Sequence, residues 1–189
     1  FIIIQYIQKI PLRKGMILVS KYKRKLYDSV KMKDFRDLVN RYSTLYANDI
    51  AFEYKETPSS EEHIKITYGK FADDIKSLGT ALLNLGLSKK RVAIISPNRY
   101  EWCVSYLAVT ASDMIVVPLD RALPDNEIES LIIRSKAEAV IFDKKYAEVF
   151  EKIASSKNSS LSSYICMDNL DQFTSYASLI EKGHSLIIN

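Results

Sequence analysis

Residues 91–102 read Arg91-Val92-Ala93-Ile94-Ile95-Ser96-Pro97-Asn98-Arg99-Tyr100-Glu101-Trp102. The apolar run Val92–Ile95 is short and unbroken. Such a run fits a strand buried on both faces, as in a parallel sheet. Pro97-Asn98 stops it. Beyond the stop, Trp102, Cys103, Tyr106, Leu107 and Val109 give a helix a wide apolar face. Asn98 is placed to cap that helix, with Glu101 at the third helical position as in a capping box. A buried strand, a tight turn and a helix therefore set the frame for the rest of the chain.

The pattern extends both ways. Upstream, Thr67 is placed to cap a helix. Its stripe is Phe71, Ile75, Leu78, Leu82 and Leu85, and Gly86 follows where a left-handed residue belongs. Downstream, Ile115-Val116-Val117 is a strand ended by Pro118. Pro124 opens a helix at its first position, favoured by Asp125 and Glu127, with Ile128, Leu131 and Ile132 facing inward. Ala139–Phe142 is the next strand. Asp143 caps a helix carrying Tyr146, Val149, Phe150 and Ile153. A Ser-rich loop over 155–163 leads to a strand over 164–167. A last helix carries Phe173, Ala177 and Ile180 and ends at Gly183. Ahead of the alternating part, Phe35, Leu38, Val39, Tyr42 and Leu45 mark an amphipathic helix. Two strands, 50–54 and 63–67, form a hairpin about the turn Thr57-Pro58-Ser59-Ser60. The fold class is α/β: a parallel sheet of βαβ units with helices on both faces, plus the N-terminal helix and hairpin.

The 189 residues suffice for one domain with a sizeable core. With 47% hydrophobic and 26% charged residues, the composition is that of a globular protein. The net charge of +4 is unevenly placed. Residues 1–36 hold ten Lys/Arg against two acids, and the rest of the chain is net acidic. Residues 1–31 therefore read as a basic N-terminal segment and 32–189 as the α/β domain. The run Lys21, Lys23, Arg24, Lys25 can meet nucleic acid or an anionic membrane. No recognition motif surrounds it, so the expectation is a solvated tail without a nucleic-acid partner. Phe1-Ile2-Ile3-Ile4 is too short to span a membrane and lacks a cleavage site. Met16, after Gly15, offers an alternative natural start, in which case residues 1–15 are not native. Cys103 and Cys166 sit in apolar runs without partners at metal-ligand spacing. They read as buried reduced thiols, in a cytoplasmic setting.

The familiar nucleotide signatures are absent. The chain holds five glycines. Neither G-x-G-x-x-G nor G-x-x-x-x-G-K-[ST] occurs, and there is no G-x-S-x-G elbow. His63 and His184 are far apart, lack nearby Cys or Asp partners and read as surface residues. Glu61-Glu62 and Asp73-Asp74 read as solvated faces. Trp102 and Tyr106 read as a helix face against the sheet, with an apolar pocket as the alternative. In open parallel sheets ligands gather at the carboxyl ends of strands. Those ends are Ser96 to Arg99, Pro118 to Leu123, and Asp143. The candidate cofactor-binding residues are therefore Ser96, Asn98, Arg99, Asp120 and Arg121, with the helix after Ser96 able to accept an anion assisted by Arg99. No catalytic or metal-ligating residue is assigned.

As a string, residues 66–142 resemble a known family. Ile66-Thr67-Tyr68 leads into a Leu-rich helix, followed by Leu85-Gly86-Leu87, Arg91-Val92-Ala93-Ile94, Pro97-Asn98 and Glu101-Trp102. That order resembles the N-terminal region of AMP-forming acyl-CoA synthetases of the adenylate-forming superfamily. Asn98-Arg99-Tyr100-Glu101-Trp102, Ser105-Tyr106-Leu107-Ala108-Val109 and Val117-Pro118-Leu119-Asp120-Arg121-Ala122-Leu123-Pro124 look like the long-chain fatty acid branch. The similarity runs over residues 32–182. It implies the first part of a large catalytic domain. It also implies a two-step ligation of a fatty acid to CoA, with ATP, Mg²⁺ and an acyl-adenylate. The family's Gly-rich, Lys-bearing phosphate loop and its catalytic Lys match nothing here. The expectation is that they lie beyond Asn189 and that this chain alone is inactive and binds none of those cofactors. Asp113 stands where the family commonly has Gly. Truncation would leave a sheet edge uncovered, so self-association through that edge is expected. Two other classes stay open: a stand-alone α/β binding module, and a nucleic-acid or membrane attachment device acting through residues 13–36.

Overall fold

The computed structural model describes residues 31–188 except 56, 58 and 157. The basic run Lys21–Lys25, the apolar start and Met16 lie outside the described residues, as does Pro58 of the expected turn. Residues Met32–Asn189 form one compact unit.

The unit begins with α1 (Phe35–Leu45), followed by a two-stranded antiparallel hairpin of β1 (Ile50–Tyr54) and β2 (Ile64–Thr67). Then come α2 (Tyr68–Asn84), β3 (Arg91–Ile95), α3 (Tyr100–Ala111), β4 (Ile115–Pro118), α4 (Asp125–Ser135) and β5 (Ala139–Phe142). A 3₁₀ turn, Lys144–Tyr146, leads into α5 (Ala147–Ser156). The chain continues through β6 (Ser163–Cys166), β7 (Thr174–Ser175) and α6 (Tyr176–Ile188). The strands β4-β3-β5-β6-β7 form one five-stranded sheet, in that order, with every pair parallel. The expected α/β class is therefore what the chain adopts.

Alternation along the central strands explains the layers. Val92, Ile94, Ala139, Ile141 and Ile165 point to one face, where α2, α3 and α6 cover them. Ala93, Ile95, Val140, Phe142 and Cys166 point to the other, under α4 and α5. Because both faces are buried, β3 and β5 carry no polar residue after Arg91. At the sheet's edge the demand relaxes, and Ile115 of β4 is half exposed.

Local signals mostly act where the sequence places them. Thr67 accepts a hydrogen bond from the Lys70 amide at 3.2 Å and starts α2. Gly86, at φ +79°, ends it. Asp113 itself takes up the left-handed conformation at φ +60°. Ser88 Oγ donates to its carboxylate at 3.1 Å.

Four expectations need correction. Asn98 does not cap α3. The cap position is Arg99, without a side-chain hydrogen bond to the helix, and no capping box forms. Pro124 is the residue before α4 rather than its first, and its carbonyl accepts from the Glu127 and Ile128 amides. The last helix neither contains Phe173 nor stops at Gly183. Phe173 precedes the short edge strand β7, and α6 runs on to Ile188 with Gly183 buried inside it. A Cβ on Gly183 would lie 1.8 Å from the Ser77 carbonyl oxygen. Gly183 is thus a close-approach residue between α6 and α2, which a sequence scan reads as a terminator. Finally, Asp74 is not solvated. It is buried, and its carboxylate accepts from Tyr100 Oη at 2.8 Å and pairs with Lys70.

Candidate functional site

The carboxyl ends of β3, β5 and β6 deliver Arg99, Asp143 and Asp168 to one place. Arg99 follows the Ser-Pro-Asn turn after β3, Asp143 is the residue next to β5, and Asp168 lies two residues past β6. Arg99 Nη1 donates to Asp143 Oδ2 at 2.8 Å and to Asp168 Oδ2 at 3.1 Å. Its Nε donates to Glu101 Oε2, in the first turn of α3, at 2.8 Å. Asp168 also accepts from the Lys144 amide at 2.9 Å, and Asp143 caps the 3₁₀ turn through the Lys145 amide. One guanidinium thus ties three strand ends and a helix start together.

The electrostatics follow from that geometry. Partial burial works against the charge on Arg99. Hydrogen bonding and Coulomb attraction to Glu101, Asp143 and Asp168 outweigh it and hold the guanidinium above its ordinary range. Folding therefore gains from this charge at every pH below the ordinary arginine range and loses it only above that range. One positive group faces three carboxylates, Glu101, Asp143 and Asp168. The cluster is net negative, and Arg99 is turned toward carboxylates rather than toward an incoming anion.

The other candidate residues take different places. Ser96 is buried and its hydroxyl donates to the Pro97 carbonyl at 2.6 Å. Asn98 is exposed at the rim. Asp120 accepts from the Ala122 amide at 2.9 Å, closing the turn after β4. The Arg121 carbonyl accepts from Tyr146 Oη at 2.9 Å, which links that turn to the segment after Asp143. The side chains of Asp120 and Arg121 are exposed and make no ion pair within the Arg99 cluster.

Beside the cluster lies a cleft of about 630 Å³ between the hairpin and the start of α3. Phe52, Tyr54, Asn98, Arg99 and Cys103 are among its walls. Behind it Phe52 meets Tyr100 edge-on, with centroids 5.3 Å apart. Burial pushes the Cys103 thiol up, away from the thiolate form a nucleophile needs. Burial and then the hydrogen bond to Asp74 hold the Tyr100 phenol well above its usual range, so it stays neutral. Among the described residues no group of His, Cys, Asp and Glu is placed to hold a metal ion. Among the described residues the strand-end cluster sets one guanidinium against three carboxylates. Trp102 and Tyr106 stack on each other at 5.3 Å and pack against the α2–α3 side of the core, as a helix face.

Asp168 is the residue that sequence reading missed. Its signal was present, since it follows an apolar strand just as Asp143 does. Asp74 and Tyr100 had no such signal, because an acid pair on a helix does not say which member faces inward.

A family model described as AMP-binding enzyme matches residues 40–185. The chain belongs to the AMP-binding enzyme family. The mitochondrial medium-chain acyl-CoA ligase ACSF2 of Pongo abelii is 27% identical over 86 residues, 45% of this chain and 14% of the relative. Fatty acyl-CoA synthetase A of Dictyostelium discoideum is 31% identical over 110 residues, 58% of this chain and 16% of the relative. The chain thus matches about a seventh of these relatives' length. A crystal structure of a long-chain-fatty-acid-CoA ligase from Archaeoglobus fulgidus shares the fold. Its TM-score is 0.70 at 16% identity, covering 86% of this chain and 33% of that one. The shared fold accounts for the parallel sheet.

Proposed function

We propose that residues 32–189 are the first part of the catalytic domain of an AMP-forming acid–thiol ligase, with residues 1–31 a separate basic segment. The observation that carries this reading is the family match over residues 40–185, on a sheet whose strand order and covering helices suit that domain. In the proposed reaction a fatty acid carboxylate attacks the α-phosphorus of ATP. Pyrophosphate leaves and an acyl-adenylate remains; Mg²⁺ held by the full-length enzyme would screen the phosphate charge. The CoA thiolate then attacks the acyl carbon and AMP leaves. A long-chain substrate is supported by the resemblance of Asn98–Trp102 and Val117–Pro124 to that branch. The unpaired Cys103 and Cys166 support a reducing compartment such as the cytoplasm. The role proposed for Ser96, Asn98, Arg99, Asp120 and Arg121 is to shape the strand-end face. The groups that hold ATP and CoA are proposed to come from elsewhere in the full-length enzyme.

The test is acid-dependent exchange of labelled pyrophosphate into ATP, with acids of two to eighteen carbons. The product of the complete gene is expected to exchange, most strongly with long acids, and this chain alone is expected not to. Exchange by this chain alone would overturn the fragment reading. No exchange by the complete product would overturn the ligase reading. That second outcome would favour a stand-alone interaction module, a reading favoured by the coverage of both sheet faces within this one chain.

Self-association is proposed to run through β4, the edge strand carrying half-exposed Ile115. Small-angle scattering is expected to show a dimer or larger species that Ile115→Lys reduces to monomer. A monodisperse monomer before substitution counts against it.

A further inference from the structure

At the opposite end of α3 from the Arg99 cluster, a cavity of about 320 Å³ lies between α1, the C-terminal half of α2 and the end of α3. The twelve residues of α3 place the two about 18 Å apart along the helix. Arg36 and Lys76 line this cavity, and no carboxylate does. Neither cation is in an ion pair with a described residue. Asn40, Thr80 and Ser112 also line it, and their side chains have no hydrogen bond to a described residue. These polar side chains are donors, or can act as donors, and Val39, Ile75 and Leu83 supply an apolar part of the lining. The last turn of α3 would by itself repel an anion. Arg36 Nε offsets this by donating to the Ala111 carbonyl at 3.0 Å.

We propose that this cavity binds the carboxylate of an alkyl acid, a medium-chain fatty acid anion. The head group is held by Arg36 and Lys76, and the chain lies over Val39 and Leu83. Charge complementarity selects the anion, and the apolar lining selects an alkyl body over a bare ion. Val39 and Ile75 also wall a second, almost wholly apolar cavity of about 160 Å³ lined by Phe71 and Leu107. That neighbour gives a longer chain a direction in which to extend. The inference does not depend on the ligase reading, since it rests on this surface alone.

The test is a titration of the 189-residue chain with octanoate below its micellar range, followed by calorimetry and by amide shifts of residues 36–40 and 76–83. Saturable one-to-one binding is expected, tightening about fourfold for each methylene added from hexanoate to decanoate. Acetate, inorganic phosphate and neutral octanol are expected to bind at least tenfold more weakly. Lys76→Gln, at an exposed position, is expected to weaken octanoate several-fold, and Arg36→Gln with Lys76→Gln to abolish it. Arg36→Lys, which keeps the charge, is expected to retain most binding. Octanol binding as well as octanoate, inorganic phosphate binding as tightly as octanoate, binding unchanged in Lys76→Gln with circular dichroism unchanged, or no saturation would each overturn the proposal.

Discussion

Replacing Gly183 by alanine is expected to lower the melting temperature rather than raise it. In an unobstructed helix the same change stabilises by roughly 1 kcal/mol, because glycine loses more backbone freedom on folding than alanine does. Here the added Cβ would lie 1.8 Å from the Ser77 carbonyl oxygen and 2.6 Å from its carbon. Backbone atoms of α2 cannot swing away as a side-chain tip can. The helix α6 must lift, which uncovers Tyr176 and Leu179, both buried in the core on that face of the sheet. Overpacking of this kind costs about 3 kcal/mol, which for a chain of this size lowers the midpoint by roughly 6–12 °C. Gly79→Ala is the natural comparison, since its Cβ meets the movable Ser112 hydroxyl at 2.1 Å. That variant is expected to recover when Ser112 is also made alanine, while no single side-chain trimming rescues Gly183→Ala. A melting point at or above that of the parent would show that α6 does not lie on α2 in this way.

Removal of the Arg99 charge is the second large effect. Arg99→Met keeps the apolar stem and leaves Glu101, Asp143 and Asp168 facing one another without a cation. Breaking a well-buried ion pair costs about 3–5 kcal/mol. The side chain is 25% exposed, so water recovers part of that, and about 2–3 kcal/mol is the expected loss in urea unfolding. Arg99→Lys is expected to recover less than half, because an ammonium cannot span carboxylates on three separate segments. Raising the ionic strength should narrow the gap between Arg99→Met and the parent, since screening relieves the carboxylate repulsion. An equal loss at all salt concentrations would mean that Arg99 contributes packing only.

Both effects sit where sequence and structure differ in what they reveal. The central strands were legible because burial on two faces forces an unbroken apolar run, as in Val92–Ile95 and Ala139–Phe142. Thr67 and Gly86 were legible because capping depends on neighbours within four residues. The edge strand β7 was not, since Thr174–Ser175 is two residues long and carries no period. Asp74 was not, because its partner Tyr100 is 26 positions away. Of the candidate site, the positions were legible and the partners were not. Arg99 and Asp143 were placed at strand ends, but nothing local says that one guanidinium meets both Asp143 and Asp168.

By itself the sequence determined the run of strand, helix and turn from 64 to 142, the α/β class and, through resemblance, the enzyme family. Those features depend on periodicity and on short-range hydrogen bonding. Only the tertiary structure decided which residues meet across the strand ends, that Gly183 joins two helices rather than ending one, and that Arg99 serves carboxylates of its own chain. Those outcomes depend on contacts between segments tens of residues apart, and the order of strands in the sheet fixes them.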